Sequence, residues 1–280
     1  MPDINASAAG TVSVGGEFEV NRLGFGAMRI TGEGVWGPPQ DHDGALAVLR
    51  RAVELGINFI DTADSYGPDV SEELIAEALH PYSDGVLIAT KGGLERTGPG
   101  EWPRNGRPQH LREACEGSLR RLGVERIGLY QLHAPDPEVP YEDSVGTLVE
   151  LRKEGKINHI GISNVSVDQL RQAEQLTPVA SVQNRYNLGD RGSQDVLDAC
   201  TEDGRPFIPW FPLTLGDKED AARRVAERHG VDPPQVALAW LLQRSRVMLP
   251  IAGTANAAHL EANVAAASLE LDDEALAELD

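Results

Sequence analysis

The sequence predicts an α/β fold, a (β/α)8 TIM barrel that carries an N-terminal β-hairpin and extra C-terminal helices. Short apolar runs alternate with amphipathic helical segments along most of the chain, which is typical of parallel strand pairing. Eight such units favour a closed barrel over an open sheet, and 280 residues suit one barrel of ordinary size. No linker rich in Pro, Gly or Ser interrupts the pattern, so residues 1–280 are expected to form a single domain.

The chain is expected to open with a β-hairpin. Residues 1–9 are small and polar, and we expect them to be frayed. Residues 11–14 and 17–20 alternate apolar and polar side chains on either side of two glycines, which is a strong hairpin signal. Residues 23–28 then predict the first barrel strand, whose glycines would let another group approach the backbone closely.

Seven further strand and helix units follow. Ser71 is expected to cap the helix after the second strand, and Gly123, Gly155 and Gly204 are expected to end three others. The predicted strands cover residues 57–60, 86–90, 127–132, 157–162, 179–182, 207–210 and 247–251. The predicted helices cover residues 41–56, 71–80, 109–122, 143–154, 167–176, 193–203, 218–229, 233–243 and 257–267, with a terminal helix from residue 272.

Composition limits the choice of partners. The net charge of -19 and the pI near 4.7 argue against nucleic acid or an anionic membrane surface, since both require basic patches. No apolar run reaches the ~18 residues of a membrane span, and no secretion signal opens the chain. Cys115 and Cys200 are isolated, which makes a disulfide framework unexpected. We expect a cytoplasmic monomer or weak oligomer whose partner is a small molecule.

Four polar side chains follow successive predicted strands, at the face where barrels keep their active sites. Asp61 and Tyr66 follow the second strand, Lys91 ends the third and His133 ends the fourth. Each alone has an ordinary structural explanation, such as loop capping or packing. Neighbouring strands lie ~4.8 Å apart, however, so the four side chains are expected to converge. The three longest loops, at residues 29–40, 92–108 and 134–142, belong to the same face.

Such a set suits the protonation of an oxygen that is becoming an alkoxide. A tyrosine has an ordinary pKa of ~10, and a nearby ammonium is expected to lower that pKa. A carboxylate would keep the lysine charged despite its burial, and a histidine would orient the substrate oxygen. These side chains lack the spacing of metal ligands, so no metal is expected.

With the motifs around them, these residues resemble the aldo-keto reductases, which are NAD(P)H-dependent carbonyl reductases built as (β/α)8 barrels. The resemblance covers nearly the whole chain. It implies a catalytic tetrad of Asp61, Tyr66, Lys91 and His133, with Tyr66 as the acid. The motifs that carry it are DTADSYG at 61–67, TK at 90–91, LH at 132–133, GISN at 161–164 and QNRYN at 183–187.

The resemblance also implies residues that bind NADP(H). Ser163, Asn164 and Gln183 would bind the nicotinamide carboxamide, and Trp210 would stack on the ring. Near residue 253 the family holds the adenosine 2′-phosphate at a helix N-terminus. Other family members often carry Lys-Ser and then Arg there, so NAD(H) stays open as the cofactor. The further expected cofactor contacts are Gly26, Ala27, Met28, Asp61, Phe211, Pro212, Leu213, Gly216, Gly253, Thr254, Asn256, His259 and Asn263.

The implied reaction is NADPH-dependent reduction of an aldehyde or ketone. The stretches GVWGPP at 34–39, YGP at 66–68 and WFPL at 210–213 are similar to bacterial pyridoxal reductases, which makes pyridoxal and small aromatic aldehydes the candidate substrates. Trp36, Trp102 and Tyr141 lie in the long loops and are expected to wall the substrate pocket, although loop packing explains them equally well. The alternative is a non-catalytic NADP(H)-sensing subunit on the same barrel.

Overall fold

A short antiparallel hairpin precedes the barrel in the computed structural model, which describes residues 4–280. In this hairpin β1 (Thr11–Val14) pairs with β2 (Phe18–Asn21), and Gly15 and Gly16 make the turn with φ angles of 65° and 74°. The hairpin predicted from the sequence is therefore confirmed. Of the segment expected to be frayed, residues 1–3 lie outside the described part. Ala6–Ala9 instead form a 3₁₀ helix with a buried first residue, so that expectation is wrong for them.

The parallel strands form the expected barrel. In residues 4–280 eight of them pair in the order β10-β3-β4-β5-β6-β7-β8-β9, and a parallel bridge between Phe207 and Met248 brings the two edges together. The barrel strands are β3 (Gly24–Gly26), β4 (Phe59–Asp61), β5 (Leu87–Gly92), β6 (Ile127–Leu132), β7 (Ile157–Ser163), β8 (Ser181–Arg185), β9 (Phe207–Trp210) and β10 (Ile251–Ala252).

Helices cover the outside of the barrel. Gly123 and Gly204 end two of them in the left-handed conformation, as the sequence predicts. No helix within residues 4–280 combines the length and the apolar character needed to cross a membrane. The helices are α1 (His42–Glu54), α2 (Val70–Leu79), α3 (Pro108–Leu122), α4 (Tyr141–Lys153), α5 (Val167–Glu174), α6 (Gln194–Asp203), α7 (Glu219–His229), α8 (Pro233–Arg244), α9 (Ala257–Ala265) and α10 (Asp273–Leu279), with short 3₁₀ helices at Ala27–Ile30, Glu33–Val35, Gly216–Lys218 and Ala266–Ser268.

Two predicted details are wrong. Ser71 does not cap α2 but lies inside it, where its buried hydroxyl donates to the Ala27 carbonyl at 3.1 Å. The last strand is limited to Ile251–Ala252, because the preceding residues pair with Phe207 of β9 and Pro250 has no amide hydrogen to continue a ladder.

The apolar core lies in two layers. Inside the barrel, side chains such as Phe59, Leu129 and Leu249 pack with Val14 and Val20, so the hairpin closes one end. Between the sheet and the helices, a larger layer of aliphatic and aromatic side chains holds the helices against the strands. Since the hairpin blocks one end, the polar groups at the carboxyl ends of the strands line the other.

Candidate active site

Four strand and loop segments bring the predicted tetrad together at the carboxyl end of the barrel. Asp61 is the last residue of β4, Lys91 lies near the end of β5, and His133 directly follows β6. Tyr66 lies in the loop between β4 and α2, close in sequence to Asp61. All four side chains are buried, and Lys91 is fully enclosed.

The Lys91 ammonium makes the central contacts of this cluster. Its Nζ donates to Asp61 Oδ2 at 2.7 Å, to the Thr62 carbonyl at 2.8 Å and to the Tyr66 hydroxyl at 3.4 Å. Burial disfavours the charged form, but Asp61 and Tyr66 together raise the pKa of Lys91 above its ordinary value. The lysine is therefore charged at neutral pH, as the sequence predicts.

The second carboxylate oxygen of Asp61 is bound by two buried amides. Gln183 Nε2 donates to Asp61 Oδ1 at 2.8 Å and Gln131 Nε2 donates to the same oxygen at 3.2 Å. Gln183, which is expected to bind the nicotinamide carboxamide, thus also binds Asp61 while it lines the cavity. Gln131 was not expected in this site. The available signal was a lone polar side chain inside the apolar run of residues 127–132.

The pKa of Tyr66 moves opposite to the expected direction. Burial raises the pKa of the hydroxyl, and the nearby Lys91 ammonium only partly opposes this rise while Asp61 adds to it. The expected net lowering of this pKa is therefore wrong, because the Tyr66 side chain is buried and Lys91 is already paired to Asp61. Tyr66 stays protonated at neutral pH, which is the state that a proton donor requires.

His133 is a neutral imidazole in this site. Burial and the Lys91 charge together bring the pKa of His133 well below its ordinary value. Its ring packs edge-on against Tyr66 with the centroids 5.9 Å apart, and Nδ1 lies 3.5 Å from Ser65 Oγ. The Asn164 side chain donates to the His133 carbonyl at 2.9 Å, which ties this segment to β7.

A cavity of about 610 Å³ opens over the tetrad, with Asp61, Tyr66 and His133 in its lining. That volume lies in the range of sites that hold a cofactor or a drug-sized ligand. One wall carries Ser163, Asn164, Gln183 and Trp210, where the Trp210 Nε1 donates to Asn164 Oδ1 at 3.0 Å. The predicted cofactor residues that line the cavity are Gly26, Met28, Asp61, Ser163, Asn164, Gln183, Trp210, Phe211, Pro212, Leu213 and Gly253.

Two predicted cofactor residues, Ala27 and Gly216, are not among the residues that line the cavity. Ala27 is buried, and its carbonyl accepts the hydrogen bond from Ser71. Gly216 packs backbone to backbone against Gly189, where a Cβ on Gly189 would lie 2.7 Å from the Gly216 Cα.

The start of α9 satisfies its own backbone amides. The Asn256 carboxamide oxygen accepts from the amides of Ala258 at 2.8 Å and His259 at 3.1 Å. Thr254 Oγ1 accepts from the Asn256 amide at 3.0 Å, and Asn263 is buried within the helix. None of the four predicted residues at this helix lines the cavity. They are Thr254, Asn256, His259 and Asn263.

At the same end of the cavity the structure adds a cation that was not expected from the sequence. Arg29 is exposed and lines the cavity next to Gly253. The net charge of the chain is strongly negative, so a positive side chain at the cavity mouth offers a local site of attraction for an anionic group.

The predicted substrate residues separate into three positions. Trp102 lines the cavity and packs edge-on against Tyr66 with the centroids 6.3 Å apart. Trp36 is exposed and is not among the residues that line the cavity, and its ring centroid lies 5.5 Å from the Arg96 guanidinium carbon. Tyr141 is a correction: it begins α4, packs against the core layer between the sheet and the helices, and is not among the residues that line the cavity. Val35 and Leu94 line the cavity instead.

Residues 22–280 match the model of the aldo/keto reductase family. The chain belongs to this family. It is 52% identical to an uncharacterised oxidoreductase of Schizosaccharomyces pombe, over 99% of this chain and 91% of the relative. It is 42% identical to pyridoxine 4-dehydrogenase of Escherichia coli, over 95% of this chain and 96% of the relative. The crystal structure of a Klebsiella pneumoniae aldo-keto reductase in complex with NADPH superposes with a TM-score of 0.79 at 28% identity, over 96% of this chain and 93% of that chain.

Family membership agrees with the geometry of the site. The reductase is an oxidoreductase on a TIM barrel, and the family activity is the reduction of carbonyl groups. Its buried cluster holds one charged lysine, one carboxylate, one protonated phenol and one neutral imidazole at the floor of a single cavity. These groups can donate a proton to an oxygen atom and stabilise the anion that is left behind.

Proposed function

We propose that this reductase converts aldehydes to alcohols with NADPH, and that Tyr66 is the proton donor. The observation that carries the proposal is the contact chain from the Asp61 carboxylate to the Lys91 ammonium and on to the Tyr66 hydroxyl, at 2.7 and 3.4 Å. Tyr66 lies in the lining of the cavity, whereas the Lys91 side chain is fully buried. A proton that leaves Tyr66 would therefore leave a phenolate next to a fixed positive charge.

The cavity wall supports a nicotinamide cofactor. Trp210 offers a flat aromatic face whose orientation is held by the Asn164 hydrogen bond, and Ser163 lies beside it. At the other end, Arg29 lies beside Gly253 and offers a cation, and the additional phosphate that NADPH carries and NADH lacks would be stabilised by this charge. The NADPH complex of the Klebsiella relative agrees with this choice. Bound NADPH would supply the hydride that the carbonyl carbon accepts.

The protein side of the reaction follows from the protonation states. The neutral His133 has an N–H that can bind the carbonyl oxygen and orient it toward Tyr66. Tyr66 then donates its proton to that oxygen, which completes the alcohol. Lys91 stabilises the resulting phenolate, and Asp61 holds the ammonium in place. Tyr66 regains a proton from solvent before the next turnover.

The substrate side of the cavity supports a flat aromatic aldehyde. Trp102, Val35 and Leu94 supply apolar surface opposite the polar floor, which suits a ring that carries one reactive carbonyl. The relative named pyridoxine 4-dehydrogenase points to pyridoxal as the specific candidate, since oxidation of pyridoxine at that position yields the aldehyde.

The test is a steady-state panel of aldehydes and ketones, each with NADPH and with NADH, on the wild type and on Tyr66→Phe. We expect turnover of pyridoxal and benzaldehyde with NADPH, and a fall in kcat of about 10³-fold in Tyr66→Phe with NADPH affinity unchanged. Equal activity in Tyr66→Phe would remove this residue from the mechanism. Tight NADPH binding without turnover of any carbonyl would favour the cofactor-sensing alternative.

A further inference from the structure

The Arg96 guanidinium donates hydrogen bonds to three separate loop segments around the mouth of the cavity. It lies in the loop between β5 and α3, and its hydrogen-bond acceptors in residues 4–280 are all backbone carbonyl oxygens. These come from the loop after β3, from the loop that carries Tyr66 and from its own loop. The contacts are Nε to Glu101 at 2.9 Å, Nη1 to Val35 at 2.7 Å and Ser65 at 3.0 Å, and Nη2 to Gly34 at 3.1 Å and Gly98 at 3.3 Å.

The Arg96 guanidinium is also held by two aromatic rings. Its central carbon lies 3.7 Å from the centroid of Trp102 and 5.5 Å from that of Trp36. Stacking of this kind requires the planar guanidinium group, and a lysine ammonium cannot both stack and reach carbonyls on several sides. The contacts therefore depend on arginine itself rather than on positive charge alone.

The segments that Arg96 contacts contribute residues to the cavity lining. Gly34, Val35 and Trp102 line the cavity, and Trp102 packs against the Tyr66 ring. The Ser65 carbonyl immediately precedes Tyr66 in the chain, so the same guanidinium contacts both the cavity wall and the segment that carries the proton donor. Arg96 therefore connects this wall to the Tyr66 segment, beside a backbone hydrogen bond that the Gly37 amide donates to the Gly67 carbonyl.

We propose that Arg96 is a positioning residue that determines substrate specificity: it holds the wall of Gly34, Val35 and Trp102 at the spacing that accepts a planar aromatic aldehyde. This inference rests on the proposed reduction of aldehydes. An aromatic ring must lie between the wall and Tyr66, so its binding requires an ordered wall. A short aliphatic aldehyde reaches the polar floor without touching the wall, so its binding does not.

The experiment compares wild type, Arg96→Lys and Arg96→Met on 2-naphthaldehyde and on propanal, with NADPH saturating. Arg104→Lys is the matched control, because Arg104 lies in the same loop and its side chain bonds, within residues 4–280, a single carbonyl, that of Pro135 at 3.0 Å. We expect both Arg96 variants to raise KM for naphthaldehyde by about tenfold or more, and to change KM and kcat for propanal by less than about twofold. The control should match wild type on both aldehydes.

Three results would overturn the role of Arg96. One is a naphthaldehyde KM that stays within about twofold of wild type in both variants. The second is a fall in kcat/KM by the same factor for both aldehydes, and the third is loss of folding in both variants by circular dichroism, since either would make Arg96 a residue of general stability. A wild-type enzyme that reduces neither aldehyde would instead contradict the proposed function itself.

Discussion

Replacement of Lys91 by Met separates what the buried ion pair does for folding from what it does for catalysis. Methionine fills a similar volume but removes three hydrogen bonds, to Asp61, Thr62 and Tyr66. The Asp61 carboxylate would then remain buried with two amide donors and no positive partner. Removal of one partner from a buried pair typically costs about 3–5 kcal/mol of unfolding free energy.

The double variant Asp61→Asn with Lys91→Met gives the reference. It removes both charges, so the uncompensated carboxylate disappears, while the Thr62 carbonyl still lacks its donor. One unsatisfied buried acceptor costs about 1–3 kcal/mol, so the double variant should be more stable than Lys91→Met alone by roughly 2 kcal/mol. Urea unfolding followed by circular dichroism measures both values.

Activity should not recover with stability. Both variants lack the ammonium beside Tyr66, so kcat for an aldehyde should fall by about 10³-fold in each, with NADPH affinity within about twofold of wild type. A Lys91→Met protein as stable as wild type would refute the electrostatic reasoning. A double variant that regained activity would refute the role of Lys91 beside the proton donor.

Two further predictions concern pH and packing. Tyr66 must be protonated to act and burial raises its pKa, while the pKa of His133 lies well below its ordinary value. Pre-steady-state reduction should therefore be constant from about pH 6.5 and decline only as the pH rises beyond about 10, and a decline centred near pH 7 would contradict this assignment. Gly253→Ala would place a methyl group 2.3 Å from the Gly26 carbonyl oxygen and should cost about 1–3 kcal/mol in chemical unfolding. Gly146→Ala, in an open position of α4, should stabilise the protein by about 0.5–1 kcal/mol, and equal effects of the two changes would show that the close approach of β3 and β10 carries no strain.

Much of the fold was predictable because its signals are local. The strands Ile127–Leu132 and Phe207–Trp210 match the predicted ranges to the residue, since apolar runs bounded by turn residues are visible in the chain. The errors fall where distant contacts decide. The Ser71 hydroxyl lies inside α2 and donates to the distant Ala27 carbonyl. Tyr141 packs against the core layer between the sheet and the helices.

The sequence by itself determined the barrel, the family and the positions of Asp61, Tyr66, Lys91 and His133 at successive strand ends, because a barrel repeats one local unit and places each strand end on the same face. The roles of these four residues in catalysis stay a prediction. Only the tertiary structure decided the direction of the Tyr66 pKa, the amide contacts of Asp61 and the hold of Arg96 on three loops. Each of these depends on burial and on partners from other segments of the chain. The spacing of residues along the sequence predicts neither.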